Sequence, residues 1–178
     1  MSSFDVVVPN NNEQDFIDTA IALGHTGIVF LTTNSRYIAP KSDLILIKTA
    51  YLLKDPSEII PARKVFDYLF APAERKFFES DVDYILDSEV SDRKDSFHYR
   101  ATSLNHVHAK LAKDNEIRVV FSFRNLLSTP LIAFGRMLQN ARLARKYRLT
   151  SCVFSMARRP CEMRSNNVLN ALEAVLGM

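Results

Sequence analysis

The sequence predicts a reduced α/β barrel of the (β/α) type, and three observations point there. Seven short apolar runs recur along 178 residues, several rich in Val, Ile and Leu without polar alternation, as in parallel strands buried on both faces. Helical patterns fall between them, giving the βαβ rhythm of an α/β fold. No glycine fingerprint or phosphate loop follows the first run, and the chain holds only 4 glycines, which counts against a nucleotide-binding open sheet. The usual eight-stranded barrel needs roughly 200 residues or more, so one unit must be trimmed or irregular.

The elements follow in order. Strands are predicted at Phe4–Val8, Gly27–Leu31, Leu44–Thr49, Asp67–Phe70, Val82–Leu86, Ile117–Phe123 and Ser151–Phe154. Helices are predicted at Glu13–Leu23, Ala73–Glu79, Asn105–Asp114, Pro130–Arg148 and Asn166–Leu176. Thr129 can cap the fourth helix and Pro130 suits its first turn. At 100° per residue, Leu131, Phe134, Met137, Leu138, Ala141 and Ala144 fall on its inner side. Arg136, Gln139, Asn140, Arg142 and Lys146 then fall outside. Ser165 or Asn166 can cap the last helix.

This length suits one domain, able to fold without metal or disulfide. No apolar run reaches the ~20 residues of a membrane span. The N-terminus, MSSFDVVVP, lacks a basic region and reads as mature protein, so an intracellular, cytoplasmic location and no membrane partner are expected. Cys152 and Cys161 are read as reduced, with Cys152 in the core.

Charge is polarised along the chain. Residues 1–116 hold 13 basic and 18 acidic groups, a net −5, whereas residues 117–178 hold 10 basic and 2 acidic groups, a net +8. A basic block with few internal partners repels itself and favours a polyanion nearby. Arg142 and Lys146, at i and i+4 on a helix without acidic residues, point to phosphate contact.

Arg93–Lys113, RKDSFHYRATSLNHVHAKLAK, is the least generic stretch. A charged and aromatic loop runs into a helix whose apolar face carries Leu104, Val107 and Leu111, a suitable place for a binding surface. His98, flanked by Phe97 and Tyr99, suits RNA contact or helix positioning better than isolated base catalysis. His106 and His108 lie two apart on a helix, about 200° from each other, and do not form a metal pair. His108 is expected half-buried and satisfied, His106 at the surface. Arg158, Arg159 and Arg164 can form an anion cradle, or one of them can pair with Glu162.

Asp87 and Glu89 follow the fifth strand, where barrel enzymes keep catalytic groups. The favoured reading pairs them with Arg93 or Lys94; the other is a metal-dependent barrel phosphoesterase using both and a histidine. A third reading is a pure interaction scaffold whose acidic half docks a basic partner.

Several segments together resemble the archaeal ribonuclease P protein component 3, counterpart of the thirty-kilodalton subunit of the eukaryotic enzyme. They are RKDSFHYR with SLNHVHAKLAK, FSFRNLL, GRMLQNARLARKY, FSMARRPCEMRS and LEAVLGM, covering roughly Asp67 to Met178. Before Asp67 the likeness is weaker, carried by Phe4-Asp5 and LGHTGIVF. Ser103 stands where the family usually has glycine, so a positive φ there would strain the turn.

The resemblance implies a barrel like polymerase and histidinol phosphatase domains, without their metal site. It implies a non-catalytic, RNA-binding subunit of a nuclease that removes the 5′ leader from precursor tRNA. The RNA does the chemistry and requires magnesium; the protein binds no cofactor. The implied partners are the ribonuclease P RNA, a small ferredoxin-like subunit in a heterotetramer of two copies of each, and the other protein subunits. RNA contact is accordingly assigned to Arg93, Lys94, His98, Arg100, Asn105, Arg124, Asn125, Arg136, Arg142, Lys146, Arg158, Arg159 and Arg164.

Overall fold

Val, Ile and Phe dominate the seven runs, and in the computed structural model, which describes residues 4–178, each run is a strand. They are β1 (Phe4–Val7), β2 (Gly27–Thr32), β3 (Leu46–Leu52), β4 (Tyr68–Pro72), β5 (Tyr84–Leu86), β6 (Arg118–Ser122) and β7 (Ser151–Phe154). All pair in parallel, and their spatial order repeats their chain order. The sheet curls until β7 meets β1 at a narrow seam. A bridge joins Val7 to Ala157, and backbone bonds run from Val8 N to Ala157 O at 2.8 Å and from Met156 N to Val6 O at 2.9 Å. The buried Asp5 side chain completes the seam, its Oδ1 accepting from the amides of Val6 and Ser155, each at 2.8 Å. The result is a nearly closed seven-stranded α/β barrel.

Seven helices cover it: α1 (Glu13–Ala22), α2 (Ile59–Arg63), α3 (Arg75–Phe78), α4 (His106–Asp114), α5 (Phe123–Ser128), α6 (Pro130–Tyr147) and α7 (Asn166–Leu176). Gly24, at φ +76°, supplies the left-handed residue that ends the α1 turn and redirects the chain to β2.

The period of two along each strand sends alternate side chains to opposite faces. Val6, Val29, Leu31, Ala50, Phe70, Tyr84, Leu86, Val120 and Phe154 fill the interior. There Phe70 and Tyr84 stack with centroids 4.5 Å apart. Outside, Val7, Ile28 and Phe30 pack on Phe16, Ile17 and Ala20 of α1, while Leu69, Ile85, Val119 and Phe121 pack under the other helices.

Several expectations are corrected here. β3 starts at Leu46 rather than Leu44, because the Ser42 hydroxyl accepts from the Leu44 amide and holds a turn, leaving Leu44 82% exposed. Phe123 opens α5 instead of closing β6. The buried stripe of α6 is Ala133, Arg136, Met137, Asn140, Ala141 and Ala144, so Arg136 and Asn140 face inward while Leu131 is exposed. Thr129 and Ser165 sit at helix N-termini without side-chain caps. Both cysteines are free; burial pushes the Cys152 thiol up to about 12. No helix of the described residues is long and apolar enough to cross a membrane.

Candidate nucleic-acid interface

The connection between β5 and α4 has little regular structure, so side chains of α6 supply what its backbone needs. Arg136 is the chief support. Its guanidinium donates to Asp95 Oδ1 at 3.0 Å and to the carbonyls of Arg93 at 2.8 Å, Ser91 at 3.0 Å and Glu89 at 3.3 Å. Nearly a full turn on, Gln139 accepts from the Arg100 amide and donates to the Arg100 carbonyl, both at 2.9 Å. Asn140 Nδ2 reaches Ser88 Oγ at 3.1 Å.

Asp95 ties the loop to itself. Partial burial pushes its carboxyl up, but the Ala101 amide and the guanidiniums of Arg136 and Arg100 outweigh that and hold it below its ordinary range. Ser96 then makes a tight turn with Tyr99, its amide and hydroxyl donating to the Tyr99 carbonyl and its hydroxyl accepting from the Tyr99 amide. Phe97 is left 98% exposed at the tip, beside exposed His98 and Tyr99. Arg100 lies against Gly135, where a Cβ would meet its Nε at 3.2 Å.

Fixed this way, the loop and α6 enclose two adjoining grooves. One, of about 550 Å³, is lined by Arg93, Tyr99, Asn105, His106, Arg142 and Lys146, among others. The other, of about 580 Å³, includes His98, Arg100, Gly135 and again Arg142. Six of the thirteen residues assigned to RNA contact thus gather on one face, with Lys94 exposed on the same loop. Guanidinium and ammonium groups for phosphates stand there beside aromatic rings able to stack on bases.

Asn105 does a second job, since its Oδ1 caps α4 by accepting from Val107 N and His108 N, both at 2.9 Å. His108 is half-buried as expected, stacked on Phe78 at 4.6 Å with Nδ1 2.8 Å from the Ser103 carbonyl, and His106 is exposed. Ser103 is not among the positive-φ residues, so no strain enters there.

Two residues assigned to RNA contact are buried. Arg136 is 7% exposed and has its donors committed to the loop. Asn125 is 8% exposed, and its Nδ2 donates to Asp87 Oδ1 at 3.0 Å and Glu89 Oε1 at 2.9 Å. These bonds also correct the expected pairing of the two acids with Arg93 or Lys94: the carboxylates meet an amide, because Glu89 turns into the interior. Burial pushes the Glu89 carboxyl up to about 7, against the opposing Asn125 hydrogen bond. Among the described residues no three His, Cys, Asp or Glu side chains cluster as metal ligands.

The remaining cations lie elsewhere. Arg159 pairs with Glu162 at 2.7 Å, and Arg164 packs over Phe123 while donating to the carbonyls of Cys161 and Met163. Arg124 and Arg158 line a cavity of about 160 Å³ at the C-terminal mouth of the barrel.

No protein-family model and no curated protein matches the sequence. Among solved structures, a chain in the cryo-EM structure of archaeal ribonuclease P with mature tRNA superposes with a TM-score of 0.75 at 18% identity, covering 97% of this chain and 82% of that one. In fold, this chain resembles an archaeal ribonuclease P chain. A crystal structure of an uncharacterized protein is less similar, with a TM-score of 0.58 at 10% identity over 99% of this chain and 70% of the other. The ribonuclease P likeness in fold reaches back through β1–β3, where the sequence motifs are weak. Sequence reasoning missed Asp95 and Gln139, which build the β5–α4 loop. Their signal is pairing across about forty residues, which no local pattern carries.

Proposed function

We propose that this chain is a protein subunit of ribonuclease P, the ribonucleoprotein that removes the 5′ leader from precursor tRNA. The observation that carries the reading is the fold likeness over 97% of the chain to a chain of the archaeal enzyme. The groove between the β5–α4 loop and α6 agrees with it. Arg93, Lys94, Arg100, Arg142 and Lys146 neutralise RNA phosphates there, while His98, Phe97 and Tyr99 meet sugar or base surfaces. The role is architectural: the RNA, with magnesium, performs cleavage, and neutralising its phosphates lets its active fold form with less bulk magnesium. The acidic N-terminal two thirds offer a docking surface to basic partners, among them a small ferredoxin-like subunit in a heterotetramer. The site of action is the cytoplasm.

Reconstitution by omission tests this. The cognate RNA and remaining protein subunits are assayed on precursor tRNA at limiting magnesium, with and without this chain. Cleavage that rises only when the chain and its small partner are both added supports the subunit role. Cleavage indifferent to the chain rejects it.

A further inference from the structure

Two of the buried polar side-chain atoms that lack a partner within the described residues, Ser122 Oγ and Arg124 Nε, belong to residues lining the mouth cavity. Ser122 is 2% exposed, so its hydroxyl is buried at the end of β6 with no bond made. Arg124 follows two residues later. Burial, then the charge of Arg158, disfavours its protonated form.

Two guanidiniums therefore share the mouth with one lining carboxylate, Asp87, whose charge, like that of Glu162, offsets them only in part. Glu162, the acid nearest in sequence, is committed to Arg159 Nε at 2.7 Å and the Arg158 amide at 3.0 Å. Asp87 is the acid on the lining, and its Oδ1 accepts from Asn125 Nδ2 at 3.0 Å. Gathering like charges in a concave site is unfavourable unless an anion joins them.

We infer that the barrel mouth binds a phosphate monoester, held by the Arg124 and Arg158 guanidiniums and the Ser122 hydroxyl. Guanidinium forks match phosphate oxygens in geometry, and barrel mouths place such sites after their last strands, as Arg158 is placed after β7. Size selects the monoester. The cavity of about 160 Å³ is below the roughly 300–1,000 Å³ usual for small-molecule pockets, so it admits a terminal group and not a diester flanked by two sugars. The lower wall is apolar, with Leu31, Leu52, Leu86 and Met156, and strengthens the polar contacts above it. The site is separate from the open groove beside α6, and it stands whether or not the chain serves ribonuclease P.

The test follows the arginine Nε–Hε signals of the full chain by NMR during titration with inorganic phosphate at constant ionic strength. A saturable shift of the Arg124 signal is expected. Arg158→Gln, at an exposed position without side-chain hydrogen bonds among the described residues, should weaken it roughly ten-fold with the fold intact. Asp87→Asn, which keeps the Asn125 acceptor and removes the charge, should tighten it several-fold. Short RNAs bearing a 5′-phosphate or a 5′-hydroxyl then separate the sources. Competition by the phosphorylated RNA alone supports the site with an RNA end as its ligand; saturation by inorganic phosphate with neither RNA competing supports it with a small phosphate compound. A chloride control that reproduces the shift, no saturable shift, or an unchanged response in Arg158→Gln overturns the proposal.

Discussion

Arg136 shows how a single buried cation can organise a surface. It donates to four acceptors on the loop, three of them backbone carbonyls. Removing it takes a donor from each of these groups, leaving Asp95 to Arg100 and the Ala101 amide, so Arg136→Ala should lose roughly 3 kcal/mol in urea denaturation, with faster proteolysis of residues 89–103. Lysine cannot reproduce the fork, and Arg136→Lys should recover less than half of the loss. A parental midpoint in either variant would mean that the loop is held by other contacts. Glu89 makes the second residue-scale prediction. Its carboxyl is pushed from the ordinary 4.5 up to about 7 by burial, so the native state holds a proton that the unfolded chain releases. Its contribution to stability is full below about pH 4.5 and is lost as pH rises through 7, a change of about 3 kcal/mol. Glu89→Gln should flatten that slope relative to the parent in denaturation curves measured across this range.

At the scale of elements, α4 depends on its first turn. Asn105 caps two amides at once, so Asn105→Ala should cost about 1 kcal/mol and lower the thermal midpoint, while Asn105→Asp keeps most of it. Strands and long helices were readable because burial on both faces and a 3.6-residue period mark sequence strongly. The helices α2 and α5, of 5 and 6 residues, are too short to show a period, and Phe123 was absorbed into the apolar run of β6. The stripe on α6 was misread for another reason. Arg136 and Asn140 look like surface residues locally; what buries them is the loop that arrives from before α4. The groove itself was legible in part, since Arg93, His98, Arg100, Asn105, Arg142 and Lys146 meet across it. Ser122, whose bare hydroxyl marks the mouth, carries no sequence signal at all.

For the whole molecule, the uneven charge ties the proposed RNA affinity to counterion release. Arg142 and Lys146 are exposed, so changing both to alanine should leave unfolding unaltered. The plot of log affinity for the cognate RNA against log salt should become shallower by roughly 2, about one per lost phosphate contact. Normal folding with an unchanged slope would move the RNA surface away from α6. The barrel seam has a different consequence. Every other pair of neighbouring strands is joined by the next stretch of chain, whereas β1 and β7 meet as the two free edges of a rolled ribbon. Such a tube is a split ring: along that one line only hydrogen bonds close it, with no connecting stretch of chain to back them, and Asp5 is the clasp.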